Sequence, residues 1–168
     1  MVADPLLFAA VISGVLVGAA IDLRTRRVPN WLTGGMAAIG LAFGALQVGG
    51  VTLTGALTGG AVGLVLMLPL HVFARTGAGD VKLLAAAGTL LGPRLVGLAF
   101  VYTVLVGGVL AVLVAIARGR LGRSLASAAQ VIRGGGANVV EVGSASADNA
   151  FAYAPAIAVG ALLALLRG

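Results

Sequence analysis

The chain has 168 residues, a formal net charge of +6, and a composition that is 60 % hydrophobic and only 10 % charged. Long apolar runs exclude a soluble domain and point to a polytopic membrane protein with room for one compact helical bundle. The absence of cysteine excludes disulfides, thiolate–zinc sites and cysteine catalysis, and the single histidine argues against a His-based metal site or a serine triad.

In chain order, Met1-Val2-Ala3-Asp4-Pro5 lacks the basic region of a cleavable signal peptide, so the first apolar run is expected to stay as a membrane helix. That span covers about 5–21, with Pro5 at a helix start, where its missing N–H costs nothing. Arg24, Arg26 and Arg27 follow, and Pro29-Asn30 marks a turn. Asn30 is placed to cap a second span over about 31–48, and Trp31 to anchor it at the interface. After Gly49-Gly50 a third span runs over about 52–73, with His71 and Arg75 at its far end. A fourth segment, 81–91, closes at Gly92-Pro93-Arg94; a fifth covers 95–117, and a sixth 151–166. Between the last two lies a polar stretch, 118–149. There Leu121, Leu125, Ala128 and Ile132 share one helical face and suggest a short surface helix, and the glycine-rich remainder reads as linker. The predicted fold class is therefore all-α, a single domain made of a bundle of six transmembrane helices.

Six spans put both termini on one side. Arg24, Arg26, Arg27, Arg75, Lys82, Arg118, Arg120, Arg123 and Arg133 then share the other side, against only Arg94 and Arg167. The positive-inside rule makes the basic side cytoplasmic and the termini external. The arginines are explained by topology and anionic-lipid contact, which removes the motive for a nucleic-acid partner. Glycine pairs such as Gly14/Gly18, Gly40/Gly44 and Gly55/Gly59/Gly63 recur every four residues and suit close helix packing in lipid.

Two of the five acidic residues fall beside the membrane on the basic side: Asp22, ending the first apolar run, and Asp80, in Gly77-Ala78-Gly79-Asp80-Val81-Lys82. An acid at membrane depth is costly and marks a functional site. The 11 residues of 81–91 span only about 16 Å, against a hydrocarbon core of about 30 Å. Asp80 should accordingly lie inside the membrane, with 76–79 dipping in as irregular backbone beside a wet notch. Two carboxylates facing one water can hydrolyse a peptide bond without metal or cofactor, one ionised as base and one protonated as acid. The helix dipole favours charge on Asp80 at a helix start and opposes it on Asp22 at a helix end, which assigns Asp80 the base and Asp22 the proton. Gly77 and Gly79 would supply the backbone angles for this turn and space for an extended substrate to approach. Arg24 and Lys82 are candidates for tuning the charge of the acids, although Lys82 also suits a structural counter-charge or interface anchor. His71 reads as an interfacial residue; Asp4, Glu141 and Asp148 read as solvated.

Asp22-Leu23-Arg24 with Val28-Pro29-Asn30, followed by Gly77-Ala78-Gly79-Asp80-Val81-Lys82-Leu83, resembles the motif pair of type IV prepilin peptidases, membrane aspartyl proteases of the GxGD kind. The run Phe151-Ala152-Tyr153-Ala154-Pro155-Ala156-Ile157-Ala158-Val159-Gly160 is similar to that family's last helix, with Ala152 where many relatives have proline. The resemblance implies that Asp22 and Asp80 are the catalytic aspartates of a bacterial inner-membrane enzyme. It implies a pilin-like precursor as partner and substrate, its leader cut on the cytoplasmic side just before a hydrophobic helix. The small size and lack of cysteine fit the short, peptidase-only branch serving Flp/Tad pili, with neither N-methylation nor S-adenosylmethionine and no other cofactor expected. A homo-oligomer stays open. The alternative from the residues alone is a small proton- or cation-coupled transporter or assembly subunit using the same two acids, although no inverted repeat is visible. A non-catalytic scaffold is the third reading.

Overall fold

The computed structural model describes residues 4–74, 77–117 and 153–167. Among them every regular element is helical: α1 (Pro5–Thr25), α2 (Asn30–Leu46), a 3-10 turn at Val48–Gly50, α3 (Leu53–Ala74), α4 (Ala78–Ala117) and α5 (Ala154–Arg167). The polar stretch 118–149, its surface helix, Arg75, Thr76 and the first two residues of the last expected span lie outside the described residues.

The described residues form five α-helices, not the six expected spans. The segments read as a fourth and a fifth span are one element, α4, bent at Gly92-Pro93. Gly92 adopts φ 74° and ψ 172°, which a side chain would strain, and Pro93 has no N–H to return to the preceding turn. The two arms, 78–91 and 93–117, double back on each other. Tyr153 shows this, since it touches Gly107 on the second arm and lies within electrostatic reach of Asp80 on the first.

Caps explain where the other helices begin and end. Asp4, expected as a solvated residue, caps α1: its Oδ1 accepts the Leu6 N–H at 2.9 Å, with Pro5 in the first helical position. α1 runs a turn beyond its apolar stretch and stops at Arg26, which takes a left-handed conformation (φ 53°) and donates its N–H to the Asp22 carbonyl at 2.8 Å. Asn30 does not cap α2; Pro29 holds that position, and Asn30 is the first helical residue. Thr52 starts α3, its Oγ1 accepting the Gly55 N–H at 3.1 Å and its carbonyl the Ala56 N–H at 2.8 Å.

Small residues set the packing. A methyl group on Gly59 would land on the Gly88 carbonyl oxygen, and one on Gly63 would sit 2.7 Å from the Leu84 carbonyl oxygen, so α3 and the first arm of α4 meet backbone to backbone. Gly14 receives Met36, Gly18 receives Leu83, Gly40 receives Thr89 and Gly44 receives Ala56, which ties α1, α2, α3 and α4 together. Gly55 differs from the rest of the expected set: it faces only Val51 and Thr52, just before its own helix. Gly160 in α5 packs on Ala99 and Thr103 of the second arm. Val11, Val15, Leu83, Leu84, Leu90 and Ile157 are fully buried at the centre.

Outside, the pattern of a soluble protein is inverted. Leu6, Val65, Leu105 and Val109 are all more than half exposed. Among the described residues three helices have the length and apolarity to cross a membrane: Pro5–Thr25, Leu53–Val72 and Ala78–Val114. α2 and α5 are shorter apolar helices packed among them. An apolar exterior of this extent is stable against hydrocarbon and unstable in water.

Candidate active site

Alternation of helix direction gathers the chemistry at one end of the bundle. The end of α1, the start of α2, the end of α3, the start of α4 and the start of α5 meet there, together with Arg24, Arg26 and Arg27. Asp4, the turn at Val48–Gly50 and the bend at Gly92 belong to the opposite end, where Gly49 touches Leu7 and Asp4.

Asp22 and Asp80 are both buried, at 5 % and 4 % exposure, and each lies within the other's field. Asp22 is carried by the last turn of α1. Its Oδ2 accepts the backbone N–H of Ala154, the first residue of α5, at 3.4 Å across 132 positions of sequence. The dipole of α1 opposes charge on Asp22, and this N–H at the start of α5 offsets that opposition. The two helices adjoining Asp22 therefore act in opposite senses, so the dipoles of α1 and α4 alone do not fix which acid is ionised.

Asp80 lies in the first turn of α4, which begins at Ala78, a full turn before 81. The irregular backbone expected at 76–79 is thus helical from Ala78 on. Gly77 precedes the helix; its carbonyl accepts the Asp80 N–H at 3.0 Å, and its own N–H donates to the Asp80 carboxylate. The Asp80 side chain thus reaches back to the backbone N–H just before the helix, as the third residue of a capping box does, while a backbone turn replaces the box's other half. That bond satisfies one carboxylate oxygen. The other, Oδ1, is buried and has no hydrogen-bond partner among the described residues. A buried carboxylate oxygen costs free energy until a proton donor reaches it, so this atom is suited to receive a water or a proton from a second acid.

The two loop glycines act differently from the expectation. Neither takes a positive φ; among the described glycines only Gly49, Gly50 and Gly92 do. Gly79 is needed for space: a Cβ there would lie 3.0 Å from the Val28 Cβ and 3.1 Å from the Val28 N. The short connection after α1 therefore rests directly on the first turn of α4, which brings Asp22 and Asp80 together. Gly77 is exposed and supplies the N–H for Asp80.

Of the two cations proposed to tune the acids, Lys82 donates from Nζ to Asn30 Oδ1 at 3.0 Å, linking α4 to α2. Arg24 is exposed in the last turn of α1, and the charge that reaches Asp22 is that of Arg26. Three groups at the site were not singled out from sequence: the Ala154 N–H, Arg26 and Tyr153, which is half-buried beside Asp80. His71, at the end of α3, is also within electrostatic reach of Asp80. Among the described residues no three His, Cys, Asp or Glu side chains gather into a metal-ligand set.

No curated protein and no solved structure matches the chain. The sequence profile of the type IV leader peptidase family matches residues 9–112, which include α2, α3, Asp22, the glycine-flanked Asp80 and most of both α4 arms. By that match, over more than half its length, the chain belongs to the type IV leader peptidase family.

Proposed function

We propose that this chain is a membrane-embedded aspartic endopeptidase that removes the leader of Flp/Tad-like prepilins, with Asp22 and Asp80 as its catalytic pair. What supports the reading is that both carboxyl groups are buried at the same end of the bundle, within electrostatic reach of each other and one with an oxygen unpartnered among the described residues, in a chain of this peptidase family. Two acids in mutual repulsion share one proton, and that proton belongs to the pair. The ionised acid takes a proton from a bound water while the oxygen of that water bonds to the scissile carbonyl carbon. The protonated acid gives its proton to the carbonyl oxygen. Collapse of the tetrahedral intermediate breaks the C–N bond: the proton first taken from water leaves on the new amine, and one hydroxyl of the intermediate returns its proton to the other acid, which restores the one-proton pair. No metal or cofactor enters this cycle.

The arginines at the end of α1 support a cytoplasmic location for the site and an external one for the termini, by the positive-inside rule. The substrate would meet the dyad where its leader joins its apolar helix, the helix entering lipid alongside the exposed apolar faces of the bundle. The absence of cysteine supports a peptidase without the methyl-transfer activity of larger relatives. Co-expression with a candidate prepilin tests the reading: wild type should shorten the precursor on a gel, whereas Asp22→Asn and Asp80→Asn should insert normally and leave it uncut. Cleavage by both variants would refute it; ion flux abolished by the same changes would favour transport.

A further inference from the structure

Only four residues, Arg26 to Pro29, separate the helix that carries Asp22 from α2. Backbone bonds pin both ends of this connection: the Arg26 N–H donates to the Asp22 carbonyl at 2.8 Å, and the Pro29 carbonyl accepts the Leu32 N–H at 3.2 Å. Between them the Thr25 hydroxyl stands 3.0 Å from the Arg27 carbonyl oxygen. A segment tied down in this way passes displacement from Asn30 back to Asp22 instead of absorbing it. It meets the first turn of α4 at two points. Val28 lies on Gly79, where an added Cβ would be 3.0 Å from the Val28 Cβ. Asn30, at the start of α2, accepts on Oδ1 from Lys82 Nζ at 3.0 Å. Positions 79 and 82 are three apart and share one face of α4, while position 80, about 100° and 200° round the helix from them, lies on another.

We propose that Lys82 and Asn30 are positioning residues of the dyad, their hydrogen bond fixing the rotation of the first turn of α4 about its own axis and so the place of the Asp80 carboxyl relative to Asp22. This inference rests on the aspartyl-dyad reading and adds to it two residues that touch neither acid. The contact at Gly79 alone leaves the turn free to rock on Val28; a second contact three residues along the same face removes that freedom. The Asp80 side chain, held to the turn by the Gly77 N–H, moves with it. A carboxyl about 5 Å from a helix axis travels about 0.4 Å for a roll of about 5°. At about a hundredfold in rate per ångström, that displacement costs about sixfold. Lys82 acts here through its bond and not through its charge: the Asp80 carboxylate accepts from Gly77, whereas the ammonium donates to Asn30, 52 positions away in sequence. Both partners are exposed, so either can be changed without opening the core.

The test uses the full chain in proteoliposomes and a prepilin reporter. Values of kcat and KM are compared for wild type, Lys82→Met, Asn30→Leu and the double variant, with thermal unfolding of each measured in detergent. Met and Leu keep the approximate bulk of the side chains and remove the donor or the acceptor. Each single change should lower kcat about three- to tenfold with KM unchanged, and the double variant should be no slower than the slower single. Asn30→Asp keeps the accepting oxygen while neutralising the cation beside it, and should rescue kcat to within about twofold of wild type. Wild-type kcat in either single variant overturns the proposal, even with a lowered unfolding temperature, since the pair would then serve stability alone. Losses that multiply in the double variant, or a change confined to KM, overturn it too. So does an Asn30→Asp enzyme as slow as Asn30→Leu, because the charge of Lys82 would then be what counts. Asp22→Asn and Asp80→Asn run alongside: if they still cleave, the dyad itself fails, whereas dead aspartate variants beside normal Lys82→Met and Asn30→Leu enzymes remove only this inference.

Discussion

Gly79→Ala is the smallest change that should separate the two aspartates. The added Cβ would stand 3.0 Å from the Val28 Cβ, 3.1 Å from its N and 3.4 Å from its Cγ2. Two of these contacts are closer than ordinary van der Waals approach, and one is to backbone, so the connection after α1 must give way by a few tenths of an ångström. Overpacking of this kind costs about 1–3 kcal/mol, partly offset by the roughly 0.5–1 kcal/mol that alanine gains over glycine in a helix. A loss of about 1 kcal/mol in stability is expected. Displacement of a reacting group by 1 Å costs about a hundredfold in rate, so a shift of a few tenths should cost about three- to tenfold in kcat. Leader cleavage in proteoliposomes and thermal unfolding in detergent measure the two effects. Gly34→Ala in α2 is the control, because nothing lies within 4 Å of its added carbon; it should stabilise slightly and leave turnover unchanged. If Gly79→Ala behaves like Gly34→Ala in both assays, the Val28 contact does not set the dyad. If it raises KM alone, the glycine serves substrate approach, as the sequence suggests.

Further outcomes follow from the packing. Gly59→Ala places a carbon on the Gly88 carbonyl and close to Gly92, backbone that cannot move aside, and should destabilise by about 2 kcal/mol or more in thermal unfolding. Gly92→Ala meets no neighbour within 4 Å, yet its φ of 74° and ψ of 172°, a region open almost only to glycine, should still make it cost about 1–3 kcal/mol, a loss due to conformation alone. Asp4→Ala removes the α1 cap and should cost about 1 kcal/mol with no change in cleavage, since Asp4 lies at the end of the bundle away from the acids.

What could be read from the sequence was local. Apolar runs placed the helices to within about a turn, and the costly acids pointed to Asp22 and Asp80 before any fold was known. Where caps and backbone conformation decide, the reading shifted. α1 gains a turn because Arg26 accepts a left-handed angle usually left to glycine, and α4 starts early because Gly77 and Asp80 cap its first turn. Gly92-Pro93-Arg94 was legible as a break, but not that α4 doubles back there on one residue's dihedral angles. Lys82 and Asn30 each had a plausible local role, and the structure instead pairs them with each other. The Ala154–Asp22 bond spans 132 positions, and the seat of Tyr153 on Gly107 depends on how α5 packs against the second arm. No periodicity in either segment encodes such a meeting. The Tyr153-Ala154-Pro155 string resembled the family's last helix, and that was the only signal available for it.

The most direct measurement is a double-mutant cycle on the two acids. Single-turnover cleavage of a prepilin reporter would be compared for wild type, Asp22→Asn, Asp80→Asn and the double variant, each shown to be inserted and folded. If both carboxyls share one proton over one water, each single change should cost about a thousandfold or more, and the double variant should be no slower than the worse single. Losses that multiply, or a single variant that cleaves near the wild-type rate, would contradict the shared-proton dyad.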